Sequence, residues 1–82
     1  GAPYDLVTAN ILAEPLIAMA GRLDAHLAPG GYAVLAGLLT RQARRVFRRH
    51  RAQGLVLDRR IELGDWTTLI LRKPKQQARR HG

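Results

Sequence analysis

Cysteine and serine are both absent from the 82 residues of this chain. Disulfide-stapled folds, thiolate-metal sites and a serine nucleophile are thereby excluded. Aromatic residues make up only 5%, too few for the repeated stacking platforms that hold single-stranded nucleic acid. Acid is scarce too: 6 Asp+Glu face 14 Lys+Arg, for a formal net charge of +8. No apolar run approaches the ~20 residues of a membrane-spanning helix, and no signal-peptide layout opens the chain. The expectation is a soluble, cytoplasmic protein with no membrane partner.

What is present is a hydrophobic content of 46%, enough for a packed core. A chain this short makes one small domain, burying roughly 60% of its unfolded surface. Twelve of the fourteen basic residues are arginine, in a chain also rich in alanine and leucine. Such a bias arises from coding composition as readily as from an anionic partner, and the compositional origin carries the greater weight.

Along the chain, Tyr4 to Ala9 is a short buried strand. Pro15 suits the first turn of a helix, where its missing N–H costs nothing. Leu12, Leu16, Met19, Ala20, Leu23 and Leu27 then form an apolar stripe at helical spacing. Ala28-Pro29-Gly30-Gly31 breaks that helix, and Tyr32 to Gly37 is a second strand, apolar on both faces. Thr40 is placed to cap a helix over Arg41 to Gln53, closed by Gly54. Ala43, Val46, Phe47 and His50 share its inner face, with six arginines on the opposite arc. Leu55 to Leu63 alternates, its leucines and Ile61 on one face. Gly64-Asp65 is a hairpin turn, and Trp66 to Arg72 returns as the last strand. Lys73 to Gly82 reads as a basic, disordered tail, leaving residues 1–72 as the folded unit.

Two strand-helix-strand units imply parallel pairing with right-handed crossovers, and the hairpin makes the last strand antiparallel. The alternating third strand suits an edge, so the fourth inserts beside the second, for a spatial order 1-2-4-3. The first strand is apolar on both faces with nothing in the chain to pair its outer side. An α/β sheet that continues beyond this segment is the expectation.

Asn10 stands where the first strand ends. In open α/β sheets ligands bind beyond the carboxyl ends of the strands, and a neutral amide there both donates and accepts hydrogen bonds. The plainer role for such an asparagine is a turn or helix-entry residue. His50, on the inner face of its helix, reads as a partly buried, hydrogen-bonded histidine. His26 and His81 lack metal-ligand spacing, so no metal site is expected. Asp5 reads as a solvated or capping residue, and Trp66 as packed on the sheet, with a pocket edge as its alternative place.

Ala9-Asn10-Ile11-Leu12, Pro15-Leu16, Gly30-Gly31, Gly37-Leu38-Leu39, Gln42 and Trp66 together carry a resemblance. From about Tyr4 to Arg72 the chain is similar to the carboxyl-terminal half of a class I S-adenosyl-L-methionine-dependent methyltransferase. More narrowly it resembles the methyltransferases of ribosomal large-subunit protein eleven. The resemblance implies a Rossmann-like sheet whose antiparallel last strand lies beside the parallel ones. It implies S-adenosyl-L-methionine as cofactor, contacted by Asn10, and methyl transfer to lysine side chains and the N-terminal amine of a ribosomal protein. Catalytic and substrate-binding residues stay unassigned. The family's glycine-rich cofactor loop and its ribose-binding acid lie upstream, in a missing N-terminal half. The Pro-Pro-aromatic step that follows this position in many amino-group methyltransferases has no counterpart, because Ile11-Leu12-Ala13 follows Asn10, so flat stacking of a nucleobase amine is not expected. Two other readings stand beside this one: a small nucleic-acid-binding module using Arg41 to Arg51, and an inactive truncated remnant.

Overall fold

The computed structural model describes residues 3–10 and 12–75. Strand β1 (Tyr4–Asn10) leads to helices α1 (Ala13–Ala18) and α2 (Ala20–His26), then β2 (Leu27–Leu39), α3 (Thr40–Ala52), β3 (Val56–Leu63) and β4 (Trp66–Arg72). The four strands form one sheet in the order β1-β2-β4-β3. β1 and β2 are parallel, and β4 runs antiparallel to both β2 and β3. That is the topology expected from the element order and the Gly64-Asp65 turn.

All three helices pack on one face of the sheet. Leu16, Leu23, Ala33, Leu35, Ala43, Val46, Leu69 and Leu71 meet there in a single core. The apolar stripe of the first helical segment is therefore real, with two exceptions. Leu12 is 76% exposed, outside the core. The segment also breaks at Met19 (φ −95°, ψ 8°), so one expected helix is two. Backbone bonds Met19 N–H to Pro15 and Leu23 N–H to Met19 carry the helical ladder across the break.

His50 stands against that break. Its Nε2–H donates to the Leu16 carbonyl at 3.0 Å, one of the carbonyls that the end of α1 leaves unpaired. The ring is fully buried and its Nδ1 has no partner among the described residues. Burial holds its pKa below the ordinary 6.5, the Leu16 bond opposing this more weakly. Below pH 6.5 the unfolded chain therefore binds a proton that the folded ring refuses, and stability falls as pH falls. Urea midpoints measured from pH 7.5 to 5.5 should decline, and His50→Leu should flatten that decline. His50→Leu should also cost about 1–3 kcal/mol at pH 7.5, because the Leu16 carbonyl loses its donor in a buried site.

Four other expectations change in the structure. The Pro29-Gly30-Gly31 breaker ends the helix but not the sheet: β2 begins at Leu27 and bulges, so that Tyr4 pairs with Leu27 and Leu6 with Tyr32. Gly31 sits so close to the carbonyls of Tyr4 and Asp5 that a Cβ would lie 3.0 Å from each. Thr40 is the first residue of α3 and not its cap. Its N–H goes to the Asp65 carbonyl and its hydroxyl pairs with Thr67 Oγ1 at 2.9 Å, while Gln42 Oε1 accepts the Leu39 N–H.

β3 departs most. One extra residue at Asp58 shifts its register against β4, from Leu57↔Leu71 to Arg59↔Ile70. A one-residue slip sends every later side chain to the other face. Leu57 therefore faces the helix layer, whereas Ile61 and Leu63 face away from it. Lastly, Lys73 belongs to the fold. Its backbone pairs with Gly30 and Gly31, and its Nζ donates to the carbonyls of Asp24 (2.9 Å) and Leu27 (3.1 Å) at the end of α2. The rest of the expected tail, residues 76–82, lies outside the described residues.

The second sheet face carries no helix among the described residues. Leu6, Tyr32, Val34, Ile70, Ile61, Leu63 and Trp66 share it by register, and Leu6, Leu63 and Trp66 are more than half exposed. Among the described residues the helices cover β4 on one face only, through Thr67, Leu69 and Leu71. Among the described residues β1 has no strand partner on its outer side, and no proline within it blunts that edge.

Candidate functional site

β1 and β2 end side by side, Asn10 pairing with Ala36. Here β2 carries one extra residue relative to β4, between Leu35↔Leu69 and Leu38↔Thr67. Gly37 occupies this bulge at φ +79°, a left-handed conformation that glycine adopts without steric cost. A Cβ on Gly37 would overlap Oδ1 of Asn10. The bulge and the missing side chain thus seat the Asn10 amide at the carboxyl end of the parallel pair.

Gly37 is also one wall of a cavity of about 260 Å³. Leu12, Ala13, Glu14 and Pro15 form the side toward α1, Leu39 and Gln42 the side toward α3, and Trp66 the opening of β4. Trp66 is 55% exposed, so it edges this cavity instead of being sealed in the sheet. Glu14 forms an ion pair with Arg45 at the rim. Both groups are well exposed, so the pair adds little stability and mainly sets the charge of the mouth.

The cavity lining is mostly apolar, with the Gln42 amide at the start of α3 and the Glu14 carboxylate as its polar groups, and the Asn10 amide lies against Gly37 just outside it. That composition suits a largely apolar organic ligand oriented by a few hydrogen bonds. Asn10 was singled out from the sequence alone, Gln42, Gly37 and Trp66 through the resemblance. Glu14 was missed, because nothing in its spacing marks it until α1 folds against α3. The other titratable groups stay apart: His26 bonds to the Arg22 carbonyl at 2.7 Å, and Asp5 is exposed. Among the described residues no three His, Asp or Glu side chains gather as a metal site would require.

A second cleft, about 290 Å³ and almost wholly apolar, opens between the free edge of β1 and α2. Tyr4, Val7, Met19, Arg22, Leu23 and His26 line it. It shares no residue with the first.

The arrangement has known counterparts. A profile of the ribosomal protein L11 methyltransferase family matches residues 1–74. The ribosomal protein L11 methyltransferase of Bradyrhizobium diazoefficiens is 51% identical over 71 residues, 87% of this chain and 24% of the relative. That of Agrobacterium fabrum is 49% identical over the same extent. The crystal structure of a ribosomal protein L11 methylase from Lactobacillus delbrueckii subsp. bulgaricus superposes with a TM-score of 0.84 at 27% identity, covering 90% of this chain and 38% of that one. A methyltransferase from Pyrococcus furiosus shares the fold, with a TM-score of 0.70 at 20% identity, over 90% of this chain and 43% of its own. The chain spans about a quarter of the length of the curated relatives it matches. With its Rossmann-like sheet order and its profile match over nearly the whole length, the chain belongs to the ribosomal protein L11 methyltransferase family.

Proposed function

We propose that this chain is the carboxyl-terminal half of the catalytic domain of a cytoplasmic enzyme. That enzyme transfers methyl groups from S-adenosyl-L-methionine to lysine side chains and the N-terminal amine of a ribosomal large-subunit protein. The observation that carries the proposal is the Asn10 amide, seated against side-chain-free Gly37 beside a cavity at the carboxyl ends of β1 and β2. The cofactor, when bound, supplies an electrophilic methyl carbon on a sulfonium. Asn10 holds its ligand by amide hydrogen bonds, which position without adding charge. Leu12, Leu39 and Trp66 give the cavity apolar walls against which the reacting amine would be held in line with the methyl group.

The remaining part of the site belongs to the rest of the longer polypeptide. The open edge of β1, the apolar cleft beside it and the bare sheet face are surfaces to which that part would dock. Calorimetry on the full-length enzyme tests the Asn10 assignment. Asn10→Ala should raise the dissociation constant for S-adenosyl-L-methionine or lower the methyl-transfer rate by about 10-fold, the worth of one hydrogen bond. Unchanged binding and unchanged rate would sink the assignment.

A further inference from the structure

We propose that the outer face of α3 is a docking surface for the phosphate backbone of RNA. Arg41, Arg44, Arg45, Arg48, Arg49 and Arg51 are all exposed, and together they cover the arc opposite the buried Ala43, Val46 and His50. Arg41 to Arg51 spans about 15 Å of helix, long enough to meet several successive phosphates. Among the described residues only Arg45 of these six has an acidic partner, Glu14.

This face is not an ordinary solvated one. Exposed helix surfaces usually mix signs, since pairs of opposite charge three or four residues apart stabilise and pairs of like charge destabilise. α3 has no acidic residue, and its arginines repeat at those like-charge spacings: 41 with 44 and 45, 44 with 48, 45 with 49, 48 with 51. Arg41 also sits in the first turn, where the helix dipole disfavours a cation. A polyanion relieves every one of these repulsions at once. A general coding bias toward arginine does not sort residues in this way, yet half of the chain's twelve arginines lie within these eleven residues, all outward.

The chemistry favours nucleic acid over the other anionic surfaces. A helix lying on a lipid bilayer must offer its apolar face, and that of α3 is buried in the core. Guanidinium forks match phosphate oxygens in two-point contacts, which lysine does not. The arc bears no aromatic side chain to stack a base, so backbone phosphates of a duplex are read, not sequence. The choice of RNA over DNA rests on the ribosomal substrate proposed above; the phosphate chemistry does not.

Fluorescence anisotropy of the full-length enzyme with a labelled 20-base-pair RNA duplex, between 50 and 200 mM KCl, tests it. If three or four phosphates are neutralised, log affinity should fall against log salt with a slope of about −3. Arg44→Gln/Arg48→Gln should weaken binding at least 10-fold at the lowest salt and reduce the slope by about 2. Arg59→Gln/Arg60→Gln removes the same charge from β3 and should leave binding nearly unchanged. Methyl transfer to the isolated ribosomal protein should survive in the α3 variant, which also shows that the variant is folded. No binding at 50 mM KCl, equal losses from the two variants, or tighter binding to a DNA duplex of the same length would overturn the proposal. Loss of methyl transfer in the Asn10 variant, with RNA binding intact, would keep the two readings separate.

Discussion

Gly37→Ala is expected to cut methyl transfer by the full-length enzyme about 100-fold while costing only ~1–2 kcal/mol of stability. Two effects act at this residue. A non-glycine side chain at φ +79° carries the strain of the left-handed region, which accounts for the stability loss. The new Cβ also overlaps Oδ1 of Asn10, and that oxygen ends a flexible, exposed side chain that can swing away cheaply. Folding therefore survives, but the amide leaves the place where it would hold its ligand. A displacement of about 1 Å in a positioning group is enough for a loss of this size.

Gly54 supplies the control. It has φ +101°, and nothing lies within 4 Å of a Cβ placed there. Gly54→Ala should thus show a similar loss of stability and a normal rate. Rate assays and thermal melts on the two variants separate strain from displacement. Equal rate losses in both, or in neither, would remove the role given to Gly37.

Ile70→Asp is expected to destabilise the full-length enzyme by about 3–5 kcal/mol or prevent its accumulation as soluble protein. In this chain Ile70 faces the side of the sheet without helices, aligned with Val34 on β2 and Arg59 on β3. A carboxylate there would be solvated if that face met water, and the change would then stay within a few tenths of a kcal/mol. The proposal that the rest of the polypeptide covers this face turns the same substitution into a buried, unpaired charge. Chemical denaturation of the two full-length proteins distinguishes these cases. An unchanged midpoint would mean that the apolar face stays in water, and the proposed docking of the missing part would fall.

Much of this was legible in the sequence, because it rests on local chemistry. Hydrophobic periodicity marks where strands and helices lie, and Gly64-Asp65 turns the hairpin. The rule of right-handed crossovers, with an alternating strand at one edge, yields the order β1-β2-β4-β3. The hydrogen bond of His50 was legible from its place on an apolar helix face, although the ring is buried fully and not in part. Asn10 was legible as a candidate by its position at a strand end.

Tertiary structure alone decided the rest, wherever a single residue's register or a distant partner set the outcome. No periodicity announces the Asp58 bulge that turns Ile61 and Leu63 to the bare face, because a bulge is fixed by the partner strand. The Thr40 cap fails because Asp65 and Thr67, far along the chain, claim its N–H and hydroxyl. Lys73 is held because the end of α2 presents carbonyls to its ammonium group. The site follows the same division. The sequence by itself determined which amide stands at the end of β1. Only the fold, by bulging β2 at Gly37 and swinging α1 against α3, decided what that amide faces.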